Sequence, residues 1–226
     1  MVNDYIVMQV RLSSKRLPNK LLLSLKGTSI FEHILIRLKM VKTVSGLVVA
    51  TTAGTEQLIR DIAHKYGTFI LIGKEDDVLS RFSNAVKKYN MRNVVRATGD
   101  NPLVDIEYID KALMLHRRKN ADLTTYPLLP YGTGVEVIRG DVLIKIDNLT
   151  SDPYEREHIT QYIYRHKDAF NIVRGTPDNL VSRPDIRLTV DTRDDYTRMV
   201  DIYENIYDDM PIKLTDVIAY IDRIRI

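Results

Sequence analysis

The strongest constraint on this chain is a rhythm of short apolar runs and helical stretches. Tyr5–Val10, Leu47–Thr51, Phe69–Ile72 and Asn93–Ala97 are each too short for a packed helix and read as buried strands. Between them lie stretches of helical periodicity. Ser29 can cap a helix through about Val41, with Ile30, Ile34, Leu35 and Leu38 on one face. A second helix is expected over 55–66, ended by Gly67, and a third over 74–89, opened by acidic residues that suit its dipole. A fourth runs over 106–119. Such alternation predicts an α/β fold, a mostly parallel central sheet with helices on both faces.

From Ala121 the rhythm changes. Strands are expected at 122–126, 135–138 and 170–173, with a loop rich in Pro, Gly and Tyr over 127–134. Helices are expected over 140–147 and 152–166. The segment 187–190 reads as an apolar strand, and helices over 193–207 and 214–223 close the chain. With no repeat or linker in view, residues 1–226 read as a single domain in which about 121–185 form an arm.

Composition narrows the function. Cysteine is absent, which removes disulfides, Cys-ligated zinc and thiol catalysis. A net charge of +3 argues for no nucleic-acid role, and no run of about eighteen apolar residues suggests a membrane span. The start, Met-Val-Asn-Asp, shows no signal-peptide pattern, so the expected address is cytoplasmic.

The chemistry gathers where parallel strands share a carboxyl edge, the ligand-binding edge of such sheets. After the first strand comes Gln9-Val-Arg-Leu-Ser-Ser-Lys-Arg-Leu-Pro-Asn-Lys20. Arg11, Arg16 and Lys20 flank the small residues Ser13 and Ser14, and Pro18 stiffens the exit. Such a loop can cradle a polyphosphate, although a basic loop taken alone reads first as a solvated turn. Asp100, in Thr98-Gly-Asp, follows the fourth strand. Beside a polyphosphate it could hold Mg²⁺; alone it could cap a turn. Asp191 ends the 188–190 run, and two such carboxylates beside a cationic loop suit a metal–triphosphate site. Asp194 and Asp195 read as first-turn helix acids. Arg81 lies on a helix pattern, where arginines are mostly solvated. Arg156 and His158 sit in a stretch that also reads as an ordinary amphipathic helix.

These motifs resemble the cytidylyltransferases that make CMP-activated sugar acids. The resemblance is greatest to the branch named for the spore coat polysaccharide biosynthesis protein F, related to the acylneuraminate and 3-deoxy-manno-octulosonate enzymes. The first motif matches the family's Arg-x-x-Ser-x-Arg-Leu-Pro-x-Lys pattern. Leu47–Thr51, Glu75-Asp-Asp-Val-Leu-x-Arg81, Arg96-x-Thr98-Gly-Asp100-x-Pro102, Gly134-Val-Glu136-Val, Arg156-Glu-His158-Ile-Thr and Leu188-Thr-Val-Asp191-Thr follow in order. Ser13 stands where this branch usually has Gly, and Arg193 where it often has Pro.

The resemblance implies a glycosyltransferase-A-like nucleotide-binding fold and transfer of CMP from CTP to a sugar acid. It implies that Gln9, Arg11, Ser13, Ser14, Arg16 and Lys20 bind the nucleotide, with Arg81 and Thr98 near the cytidine. Asp100 and Asp191 would hold Mg²⁺. Glu136, Arg156 and His158 would face the acceptor, and the arm would support a homodimer. Another nucleotide, a sugar-phosphate acceptor, or a catalytically silent binder in a glycan pathway remain open alternatives.

Overall fold

The structure is a computed structural model that describes residues 3–12 and 16–224. Along the chain come β1 (Asp4–Gln9), the short strands β2 (Ser24–Leu25) and β3 (Thr28–Ser29), α1 (Ile30–Lys39), β4 (Gly46–Thr51), α2 (Ala53–Lys65), β5 (Phe69–Ile72), α3 (Val78–Tyr89), β6 (Asn93–Thr98) and α4 (Ile106–Lys119). The second half supplies β7 (Leu123–Thr125), β8 (Glu136–Arg139), α5 (Gly140–Leu149), α6 (Pro153–Glu157), α7 (Gln161–Arg165), β9 (Ile172–Arg174), α8 (Arg193–Ile206) and α9 (Leu214–Ile224).

The main sheet has seven strands in the order β5-β4-β1-β6-β8-β7-β9. Pairs β5–β4, β4–β1, β1–β6 and β7–β9 are parallel, whereas β8 runs antiparallel to both β6 and β7. The predicted mostly parallel sheet is therefore present, and the strands expected in the arm extend it rather than stand apart. Because β8 is reversed, its first residue, Glu136, pairs with Arg96 near the carboxyl end of β6.

Alternation along the strands divides the core. Ile6, Met8, Val49 and Val95 face one way and pack with Ile34, Leu38, Ile109, Ile202 and Val217 from α1, α4, α8 and α9. Val7, Val48, Val94 and Ile138 face the other way, against Leu79, Phe82, Leu143 and Ile163 from α3, α5 and α7. Each face thus buries its own apolar set, which fixes the register, since a one-residue slip would exchange the two.

Helix starts follow local chemistry. Ser29 accepts from the Glu32 amide as expected, and Asp105 accepts from Tyr108 to start α4. The third helix starts at Val78 rather than Lys74, because Asp77 caps it through the Ser80 amide and the acidic residues before it stay outside. At α8, Thr192 and Asp195 form a reciprocal capping box.

Two further expectations are corrected. The helix expected over 152–166 is split into α6 and α7, with His158–Thr160 turned between them. The Thr160 hydroxyl donates to Glu136, a long-range bond that periodicity does not register. Residues 187–190 are not a sheet strand. Arg187 makes an isolated bridge with Tyr131, and the Val190 amide donates to the Asp100 carbonyl at 2.8 Å.

Candidate active site

A cavity of about 1010 Å³ opens at the carboxyl edge of β1 and β6. That is large for one drug-sized ligand, and fits two reactants held together. Close packing lets the edge approach the loop: a side chain at Gly99 would stand 2.8 Å from Leu21 and Val10. At Gly132, φ is +97° and a Cβ would meet the Thr189 amide nitrogen at 2.7 Å, so the loop crossing 187–190 also needs glycine.

At one end of the cavity, Lys20 leaves the β1 loop on a short 3₁₀ turn, and its side chain is almost wholly buried. Its Nζ donates to the Val190 carbonyl at 2.8 Å and to Asp191 Oδ1 at 3.0 Å, and lies 3.4 Å from Asp100 Oδ2. Arg16 lies 3.4 Å from the same Asp191 oxygen, while Arg187 donates to Asp191 Oδ2 at 2.8 Å. Burial opposes ionisation of Asp191. The Lys20 hydrogen bond and charge, then Arg16 and Arg187, outweigh it and hold the carboxyl below its usual value. Asp195 fixes the backbone here by accepting from the Asp191 and Thr192 amides. Thr98 Oγ1 donates to Asp100 Oδ1 at 2.5 Å.

Two carboxylates thus converge on one cation. Among the described residues no group of three or more His, Cys, Asp or Glu side chains is placed to hold a metal. A pair of hard oxygen ligands completed by phosphate oxygens is nonetheless how proteins commonly take Mg²⁺. The donor set therefore fits that ion, with Lys20 now occupying the point on which both carboxylates converge.

Arg81 departs from the expectation of a solvated helix face. It is 1% exposed, lines the cavity, and makes one long bond, Nη1 to the Ala50 carbonyl at 3.4 Å. Its Nε is buried without a partner. The side chain lies across Gly73, where a Cβ would come within 2.5 Å of Arg81 Cγ. Burial, and then the neighbouring Arg11 charge, push the guanidinium pKa down.

At the other end, Glu136 accepts from Arg96 Nη1 at 2.7 Å, Thr160 Oγ1 at 3.1 Å and Tyr164 OH at 2.8 Å. Burial, and then the Glu136 charge, raise the Tyr164 phenol pKa, so it stays a neutral donor. His158 lines the cavity and packs tilted against the Tyr154 ring, with centroids 4.5 Å apart. Arg11 spans the mouth to Glu157, Nη2 to Oε1 at 2.6 Å.

Gln9, Arg11, Arg16, Lys20, Arg81, Thr98, Asp100, Glu136, His158 and Asp191 are therefore brought to one cavity. Ser13 and Ser14 lie outside the described residues. Arg156 is placed elsewhere: it donates to Asp77, Asp147 and the Thr150 carbonyl, and ties α6 to α3 and α5. The sequence reading gave no role to Arg96, Glu157, Thr160 or Tyr164, although a charge inside the apolar run of β6 marks Arg96 as a residue in need of a partner.

A family model described as cytidylyltransferase matches residues 5–217. The chain belongs to the cytidylyltransferase family. An uncharacterized protein of Methanocaldococcus jannaschii is 36% identical over 96% of this chain and 89% of its own length. The spore coat polysaccharide biosynthesis protein SpsF of Bacillus subtilis is 28% identical over 98% of this chain and 95% of its own. A solved cytidylyltransferase from Leptospira borgpetersenii superposes with a TM-score of 0.92 at 28% identity, covering 100% of this chain and 96% of that one. The glycosyltransferase-A-like fold expected of such enzymes is the one seen here. No described helix is long and apolar enough to cross a membrane.

Proposed function

We propose that this cytidylyltransferase transfers CMP from CTP to a sugar acid of the ulosonic or nonulosonic type, in surface-glycan biosynthesis. The observation that carries the reading is the convergence of Asp100 and Asp191 on one cation beside the basic loop. A hydroxyl oxygen of the acceptor attacks the α-phosphorus of CTP, the bond to the bridging oxygen breaks, pyrophosphate leaves, and the hydroxyl proton passes to water.

The chain's own part is charge and position. Arg11, Arg16 and Lys20 bind the triphosphate and neutralise charge that grows on the leaving group. Arg81 places its unpartnered donor on the nucleoside side. Asp100 and Asp191 would hold Mg²⁺, which when bound supplies Lewis-acid stabilisation of phosphate oxygens. Glu136 and His158 face the acceptor. The same reading makes the protein a homodimer working in the cytoplasm, where CTP is supplied. The relative that carries a spore-coat polysaccharide name and the two-reactant cavity support it.

Pyrophosphate release with Mg²⁺, each of the four nucleoside triphosphates and a panel of sugar acids tests the proposal. CTP should be preferred, and Asp100→Ala should abolish turnover while keeping the circular dichroism spectrum. Full activity in that variant would sink the metal assignment, and preference for UTP or GTP the nucleotide assignment.

A further inference from the structure

The acceptor end of the cavity has an unusual polar floor. Arg96 lies on β6, on the sheet face shared with Gln9 and Glu136. Its Nε donates to Gln9 Oε1 at 3.2 Å and its Nη1 to Glu136 Oε2 at 2.7 Å. A guanidinium has donors only, so the Gln9 amide must present its oxygen to Arg96 and turn its NH₂ elsewhere. Among the described residues the hydrogen bonds of these two side chains use Arg96 Nε and Nη1 and Gln9 Oε1, not Arg96 Nη2 or Gln9 Nε2, and both side chains line the cavity. The oxygens of this floor are already engaged. Gln9 Oε1 accepts from Arg96, and the Glu136 carboxylate accepts from Arg96, Thr160 and Tyr164. The unused groups left for a ligand are therefore chiefly the donors Arg96 Nη2 and Gln9 Nε2.

A donor-only fork matches an acceptor-only group. A carboxylate meets that description. A cytosine edge matches it less well, since its amino group would compete for oxygens that already accept from Arg96, Thr160 and Tyr164. Position agrees. Arg96 is two residues before Thr98 on one strand, about 7 Å at some 3.3 Å per residue, and Thr98 holds Asp100. A ligand carboxylate on Arg96 would thus leave a neighbouring hydroxyl facing the Asp100 end. Sugar acids of the proposed type carry both groups on one carbon.

The geometry points to Arg96 and Gln9 as the residues that read the acceptor's carboxylate, held in place by Glu136, Thr160 and Tyr164. This moves Gln9 from the nucleotide to the acceptor, and it rests on the sugar-acid reading above. Glu136 is then a positioning residue that acts through Arg96 rather than a direct ligand.

The test measures pyrophosphate release from CTP with a panel of ulosonic and nonulosonic acids, each set against its C1 amide. The wild type is compared with Arg96→Lys and Gln9→Glu. Lysine keeps a cation for Glu136 but loses the planar fork. Glutamate is isosteric and still accepts from Arg96 Nε, but it puts a negative oxygen where the amide donor was. Both variants should raise the acceptor KM by about tenfold to a hundredfold, the range of a charge-assisted hydrogen bond. They should also lose the preference for acid over amide, with the KM for CTP changing by no more than about twofold. Variants that keep the acceptor KM and the acid preference, or that raise the KM for CTP instead, would overturn the assignment and leave the sugar-acid reading standing. Failure of the wild type with every acid would overturn that reading and this one together. If Arg96→Lys does not fold, Gln9→Glu alone decides the matter.

Discussion

Replacing Lys20 with Met should make the protein less stable, more responsive to Mg²⁺ and nearly inactive, all at once. The Lys20 ammonium is the shared partner of Asp191 at 3.0 Å and Asp100 at 3.4 Å, and it also donates to the Val190 carbonyl at 2.8 Å. Removing one partner of a buried ion pair costs about 3–5 kcal/mol. Here the carboxylates keep Arg16, Arg187 and Thr98, and Asp100 is part-exposed, so the loss should be nearer 2 kcal/mol. For a chain of this length that corresponds to a melting temperature lower by about 4–8 °C. Without the ammonium, two carboxylates face one vacant point, and a divalent cation no longer has to displace a lysine to reach them. Mg²⁺ at about a hundred times its dissociation constant would add about 2.7 kcal/mol, which more than restores the loss. The assay is a thermal melt with and without Mg²⁺, paired with pyrophosphate release. Turnover should fall at least about a hundredfold, because the leaving group loses a donor. An Mg²⁺-induced shift no larger in Lys20→Met than in the wild type would refute convergence on a common cation site.

Arg81→Met should leave the melting temperature unchanged or raise it, since it takes away a buried guanidinium with one long hydrogen bond and an unpartnered Nε. The same variant should raise the KM for the nucleotide, and a melt plus a CTP titration separates the two effects. Arg156→Met should cost about 2–3 kcal/mol in urea unfolding by stranding Asp77 and Asp147, without changing the acceptor KM in proportion. His116 is buried between Thr124 and Asn93, and burial pushes its pKa down to about 4. The unfolded chain therefore binds the extra proton first. The stability tied to a neutral His116 is complete above about pH 6.5 and is lost as pH falls toward 4, about 3 kcal/mol in all. Urea midpoints between pH 7.5 and 4 should show that slope in the wild type and a flatter one in His116→Gln.

The fold was legible because its signal is local. Runs such as Leu47–Thr51 are apolar on both faces, and only a strand covered on both sides asks for that. Ser29 announced α1 through its own hydroxyl. What was not legible depends on partners far along the chain. Asp191 was expected at the end of a strand. It reaches the site because Val190 hydrogen-bonds to Asp100, across a gap of ninety residues that periodicity cannot see. Arg156 was placed with the acceptor, yet its carboxylate partners include Asp77, the N-cap of α3 and 79 residues away in the chain. Nothing in the local pattern of α6 says which way its arginine turns. Arg81 looked solvated because its helix is amphipathic, and the space that buries it exists because Gly73 has no side chain. Arg96 is the opposite case. A charge within the run NVVRAT was a visible anomaly, and the answer lay on two neighbouring strands.

The reversed strand explains how one edge serves two reactants. In a fully parallel sheet the carboxyl edge would display only strand ends followed by loops, and such an edge holds the basic loop, Asp100 and Arg81. Because β8 runs against β6, it delivers the beginning of a strand to that same edge, and Glu136 arrives beside Arg96. The carboxylate then does for Arg96 what Asp191 does for Lys20: it holds a cation at the cavity wall without closing off all of its donors. The poles differ in what a ligand must supply. At the Asp100–Asp191 end the protein contributes both signs, so a metal-bound polyphosphate fits. At the Arg96–Gln9 end it contributes donors with their acceptors already engaged, so an anion without a metal fits. A charge-neutralising exchange separates these roles. Glu136→Gln should weaken the hold on Arg96 and raise the KM for a sugar acid, while Mg²⁺ binding in the absence of acceptor stays as in the wild type. A matched loss of both would mean that the cavity is one electrostatic site and not two.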